Sequence, residues 1–345
     1  MFWSIMQAIN TLSDFLETAA TQFQVFDMGR RIQAIDYLAF QQIEALNSPY
    51  PYPIQGHAMM ALVFWKPNEP HFVWFLKLPL DEQGLLQPAA RTQFMQQVME
   101  GLGEDPTKAL SKEQQQKLAN NPLIFTPSQQ KLAVFNAKVK VSLGQGASPQ
   151  YEMVVQYLSE QMPQDNWQQL GMQGLADFCA RLEQHGNKQL LLNALPKLPD
   201  AVLDPLLGCL EHQQLDSQLA TALQAIAPSD LDEASAQHKL HGVLRALAGN
   251  ADCASALATQ VLISPNVDIN SLIIIAARHW PLMHNDDFRR AYLEAIANQS
   301  QSIFSQLFAD LVAIPSIRAL MLAELRNPNR SEQLSNAIGN LFKGA

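Results

Sequence analysis

From Tyr151 to the end of the chain, apolar runs of about ten to fifteen residues alternate with short breaks, and this rhythm limits the fold more than any other feature. The breaks fall at Pro163, Gly186, Pro199, Asp216, Pro228, Asn250, Pro265, Pro281, Ser300, Pro315 and Pro328. Proline, glycine and capping residues end helices for backbone reasons, so the spacing predicts helical hairpins stacked in sequence, as in a HEAT-like helical repeat of irregular period. The segment LIIIAA, residues 272 to 277, is apolar all round and is expected between neighbouring layers.

The first part of the chain mixes periods. Thr11 and Asp14 fit a capping box, which predicts a short helix ending near Ala20. FQVFDMGRRIQAI, residues 23 to 35, alternates on either side of Met28-Gly29 and reads as a strand interrupted by a turn or bulge. Asp36 caps a helix through about Leu46, before SPYPYP halts it. HAMMALVFW and HFVWFLKL flank KPNEP and predict a β-hairpin near 57–78, with Phe64 opposite Val73 and Leu62 opposite Phe75. After residue 100 the pattern turns helical. Ser111 with Gln114 and Thr126 with Gln129 match hydroxyl caps, the second opening a helix with Leu132, Phe135 and Val139 on one stripe and Gly144 at its end. The expected architecture is mostly α: a small α+β domain over 1–145 and an all-helical, repeat-like domain over 146–345, divided within SLGQGASPQ.

Composition narrows the partners. Acids outnumber bases 32 to 23, no run of Lys or Arg exceeds two, and a phosphate backbone or an anionic membrane surface needs a basic face. Nucleic acid and membrane are therefore not expected ligands. The start of the chain lacks a basic n-region and a small-residue cleavage site, and Cys179, Cys209 and Cys253 are few and far apart, so a cytoplasmic location is expected. Charged residues make up 16%, below the roughly 25% of ordinary soluble domains, which favours extensive burial or surfaces covered by partners.

No catalytic residue, metal or cofactor is expected. G-x-S-x-G is absent, and Gly144-Gln145-Gly146 lacks the third glycine and the lysine of a phosphate loop. His238 and His241 share a helix face at metal-ligand spacing, but only Asp232 and Glu233 stand near as further ligands. His279 and His284 precede Asp286 and Asp287, where Asn285-Asp286 are preferred helix caps. Asp81-Glu82, with Gly84, reads as a turn after Pro79. For ligand binding the candidates are Arg30 and Arg31 beside Gly29, with His57, His71, Asp81 and Glu82; alternation puts the two arginines on opposite faces.

The strings FDMGRR, YPYPIQGHA, FLKLPLDEQGLL and DNWQQLGMQGLADF together resemble a bacterial family known as a domain of unknown function. The resemblance spans nearly the whole chain, implies a complete natural unit, and brings no activity, cofactor or catalytic residue. The residues themselves favour a non-enzymatic scaffold that binds a protein or peptide through a helical-array surface. A small-molecule enzyme or sensor with a pocket between the two domains is the alternative, and homo-oligomerisation of exposed helical faces stays open.

Overall fold

Helix α1 (Leu12–Thr18) begins where Thr11 can satisfy a free backbone NH. Asp14 NH donates to Thr11 Oγ1 at 3.0 Å, and Thr11 NH donates to Asp14 Oδ2 at 3.2 Å, which completes the expected capping box. The computed structural model describes residues 10–102, 105–107, 121–228, 236–265 and 267–343. They form two compact units, 1–127 with 313–316, and 128–312 with 317–345. The Ser111 cap and the pair Asp232-Glu233 lie outside the described residues.

In the first unit β1 (Gln22–Asp27) turns back antiparallel onto β2 (Gln33–Ile35), so the expected interrupted strand is a short hairpin. Asp36 then caps α2 (Tyr37–Glu44) by accepting from the NH groups of Leu38 and Ala39 at 2.9 and 3.2 Å. β3 (His57–Trp65) and β4 (Phe72–Pro79) make the second hairpin, and the sheet order is β2-β1-β3-β4, antiparallel throughout. Pro88 occupies the first turn of α3 (Pro88–Leu102).

The register of the second hairpin corrects the sequence-based pairing by one residue: Phe64 lies opposite Phe72 and Leu62 opposite Trp74. Side chains alternate faces along a strand, so a one-residue slip exchanges faces. The observed register puts Ala58, Met60, Leu62 and Phe64 of β3 on the same face as Trp74, Leu76 and Leu78 of β4. Those residues form one core with Leu12, Phe15, Leu16, Phe40, Ile43 and Phe94 from the three helices. Glu44 ties two of these helices together, because its carboxylate accepts from the NH groups of Leu12 and Ser13 at 2.7 and 3.0 Å and so caps α1 a second time.

The second unit is helical. In order it contains α4 (Gln129–Ser142), α5 (Gln150–Leu158), a 3₁₀ turn at Gln164–Gln169, α6 (Met172–Cys179), α7 (Asn187–Ala194), α8 (Asp200–Leu210), α9 (Ser217–Ala225), α10 (Gln237–Ala246), α11 (Ala251–Ile263), α12 (Ile269–Arg278), α13 (Asp286–Ala297), α14 (Gln301–Ala313), α15 (Pro315–Glu324) and α16 (Glu332–Leu341). Ser128, two residues beyond the expected Thr126, is the cap of α4. Asp216, Asn250 and Asn285 cap α9, α11 and α13, and Gly186 opens α7 at φ +75°, where glycine bears no Cβ penalty. Pro205 sits inside α8 and does not end it.

These helices pack in two interleaved rows. One runs α4, α6, α8, α10, α12, each against the next; the other runs α5, α7, α9, α11, α13 and then α16. Several hydrogen bonds within this unit span 34 to 37 residues, alongside others at 20, 27, 40 and 67. His238 pairs with Asp204 at a separation of 34, Asn250 with Leu215 at 35, His279 with Leu244 at 35, Arg289 with Glu324 at 35, Tyr151 with Asn187 at 36 and Ser331 with Glu294 at 37. Missing side chains permit the close crossings: a Cβ on Gly174 would lie 2.5 Å from the Gln150 carbonyl oxygen, and one on Gly242 would lie 2.9 Å from Leu207 Cδ1. On α12, Leu272, Ile274 and Ile275 are buried while Ile273 is 41% exposed, so the apolar run faces solvent on one side instead of being enclosed all round. No helix among the described residues is long and apolar enough to cross a membrane.

Candidate functional site

The residues singled out in the first unit divide into a buried network and a turn. Asp27, fully buried, accepts from the NH groups of Gly29, Arg30 and Arg31 at 3.1 to 3.2 Å and from the Tyr50 hydroxyl at 2.7 Å. Burial, followed by the Asp27 charge, pushes the Tyr50 phenol well above its ordinary value, so it serves as a neutral donor. Arg30 is 1% exposed and its Nε donates to the Pro53 carbonyl at 3.0 Å; Arg31 is buried as well. The connection between β1 and β2 is thus folded around one carboxylate.

Asp81 does the work of a turn. Its Oδ1 accepts from the NH groups of Gln83 and Leu85 at 2.9 and 2.8 Å, and Gly84 follows at φ +85°. Glu82 is exposed. His57 Nδ1 contacts the Gln55 carbonyl at 2.7 Å. Arg30, Arg31, His57, Asp81 and Glu82 all lie toward one end of the sheet, whereas His71 precedes Phe72 at the other. The ladder from His57 to Phe64 separates those ends by about 23 Å at the usual strand rise. One pocket cannot gather all six.

In the second unit the histidines resolve into separate pairs. His238 Nε2 lies 2.6 Å from Asp204 on α8, and His241 Nε2 lies 2.9 Å from Asp268, the cap of α12. The two imidazoles of α10 therefore reach in different directions. His279 is buried against the Leu244 carbonyl at 2.8 Å, and Asn285 caps α13 through Phe288 NH, as the capping reading expected. Among the described residues no group of three or more His, Cys, Asp or Glu is placed to hold a metal ion.

A cleft of about 370 Å³ crosses the first row of helices, and its polar lining was not legible as a motif. Lys131 comes from α4, Met172 from α6, Asp204, Pro205 and Gly208 from α8, Arg245 from α10 and Arg278 from the end of α12. The Gln130 side chain of α4 lies over Gly208 of α8, where a Cβ would be 1.9 Å from Gln130 Nε2. Glu211, also on the cleft lining, is 5% exposed and takes a hydrogen bond from Arg278 Nε at 2.5 Å. Arg245 Nε is 3.9 Å from the other Glu211 oxygen, beyond hydrogen-bond reach, and has no hydrogen-bond partner. One carboxylate thus stands against two guanidinium groups, and Arg278 holds it more closely. A site so arranged can accept a further anionic group.

The whole chain supports one comparison. A family model described as Protein of unknown function (DUF3549) matches residues 7–342. The chain belongs to this family. No curated protein and no solved structure matches it. The DUF3549 match covers both units, so the sheet, the helical rows and the cleft all belong to what the family model spans.

Proposed function

We propose that this DUF3549 protein is a non-enzymatic scaffold that binds a protein or peptide partner, and that its second unit is a HEAT-like array of two-helix repeats. The observation that carries this reading is the packing of the helices in two interleaved rows, each helix against the next of its row, with several hydrogen bonds spanning 34 to 37 residues beside it. Arrays built in this way bury a continuous core between repeats and leave one row of helices as an extended binding surface. The cleft lies along such a row and draws its residues from five successive members of it.

Affinity capture of the tagged full chain from a native cell extract, followed by mass spectrometry, tests the proposal. The expected result is a reproducible protein partner that is lost when cleft residues are changed. A chain that captures no protein but releases a small molecule on denaturation would overturn it.

A further inference from the structure

We propose that the cleft is one half of a two-part peptide site, which takes a carboxylate side chain next to a large apolar one. This rests on the scaffold reading and names the chemistry of its partner. A second recess, of about 120 Å³, adjoins the cleft and shares Met172 and Pro205 with it. Its remaining walls are mostly apolar, from Trp167, Leu170, Leu175 and Val202, with Gln168 the one polar side chain. Drug-sized ligands occupy about 300–1,000 Å³, so this recess suits a single side chain. Trp167 is 37% exposed, which leaves an aromatic wall open to an incoming group.

The polar half selects charge. Arg245 has a buried Nε without a hydrogen bond, its side chain is 38% exposed, and the nearest acid is the one Arg278 already holds. A peptide carboxylate entering the cleft meets the accessible part of the Arg245 side chain, with Lys131 and Arg278 on the same lining. The lining sets three cations, Lys131, Arg245 and Arg278, against two acids, Asp204 and Glu211, a small positive excess on a chain whose formal charge is -9. Between the halves lies Pro205, inside α8. Proline has no NH, so the Ala201 carbonyl lacks its ordinary helical donor, and Ala201 is itself a lining residue of the recess, where that acceptor could meet a peptide NH. An extended segment with an acidic residue and a Leu or Phe a few positions apart satisfies all three features.

The test is an array of acetylated nine-residue peptides in a Gly/Ser background. Each carries one Leu or Phe and one Glu, spaced one to four residues apart, with Gln and Lys versions as matched controls. Probed with the tagged full chain, Glu peptides are expected to bind about tenfold better than Gln peptides, and Lys peptides not at all. Arg245→Glu should reverse the preference toward Lys, and Trp167→Ala should abolish the dependence on Leu or Phe. If Arg245→Glu fails to fold by circular dichroism, Arg245→Gln carries the prediction, with the Glu preference lost instead of reversed. Signals no higher than Gly/Ser background, a Glu preference that survives the Arg245 change, or free succinate binding as well as the Glu peptides would each overturn the proposal. Affinity capture repeated with the Arg245 variant separates the two claims. A partner retained alongside a blank array removes the cleft and leaves the scaffold, whereas no partner and a blank array remove both.

Discussion

Asp27 and Asp81 show how differently two acids in turns can be used. Asp27 is fully buried and accepts from the consecutive NH groups of Gly29, Arg30 and Arg31 and from the Tyr50 hydroxyl. Replacing it by Asn leaves a buried donor against donors, so Asp27→Asn is expected to cost about 2–4 kcal/mol in denaturant unfolding. Asp81 is exposed, and Asp81→Asn keeps an oxygen for the same turn, so its cost should stay within about 0.5 kcal/mol. Asp268 adds a pH signature. Burial pushes its carboxyl up, but hydrogen bonds from His241, Ser271 and Asn270 NH outweigh this and hold it below its ordinary value. Its stabilising contribution is then in place above the unfolded carboxylate value of about 3.9 and is lost as the pH falls through the lower folded value. Denaturation midpoints of the wild type and Asp268→Asn, compared from pH 6 to pH 2.5, should converge toward the acid end.

At the scale of elements, glycines decide how closely helices approach. Gly174→Ala would drive a Cβ to 2.5 Å from the rigid Gln150 carbonyl, and a loss of about 1–3 kcal/mol is expected. Gly208→Ala meets only the movable end of Gln130, so the gain in helix propensity roughly offsets the displacement and stability should change by less than about 1 kcal/mol. Thermal unfolding of the two variants side by side checks the contrast. The hairpin at 57–79 illustrates what sequence can and cannot supply. Two runs of β-formers around a proline-containing loop were enough to place both strands. The register was not legible, because Ala61 and Val63 on the second face of β3 are as buried as Leu62 and Phe64 on the first, so alternation favours neither pairing. The capping residues Thr11, Asp36, Asp216, Asn250 and Asn285 were readable, since each acts on a backbone NH two or three residues away.

For the whole molecule, the alternation of helices and breaks announced a helical second part, and the mostly helical fold with its four-stranded sheet agrees. The cleft stayed hidden because its residues fall on different helices about 35 residues apart, the length of a two-helix unit, where no local spacing connects them. Lys131, Met172, Arg245 and Arg278 became a set only through packing. On the proposed reading this row of helices receives a protein partner at the cleft. Photo-crosslinking in native cell extract tests it most directly, with a photoreactive benzophenone amino acid in place of Trp167 in one full-length chain and in place of Leu322, exposed and outside the cleft, in another. A scaffold with its site at the cleft gives a discrete protein adduct from position 167 and none from position 322; adducts equal at both positions, or absent from position 167, would rule that site out.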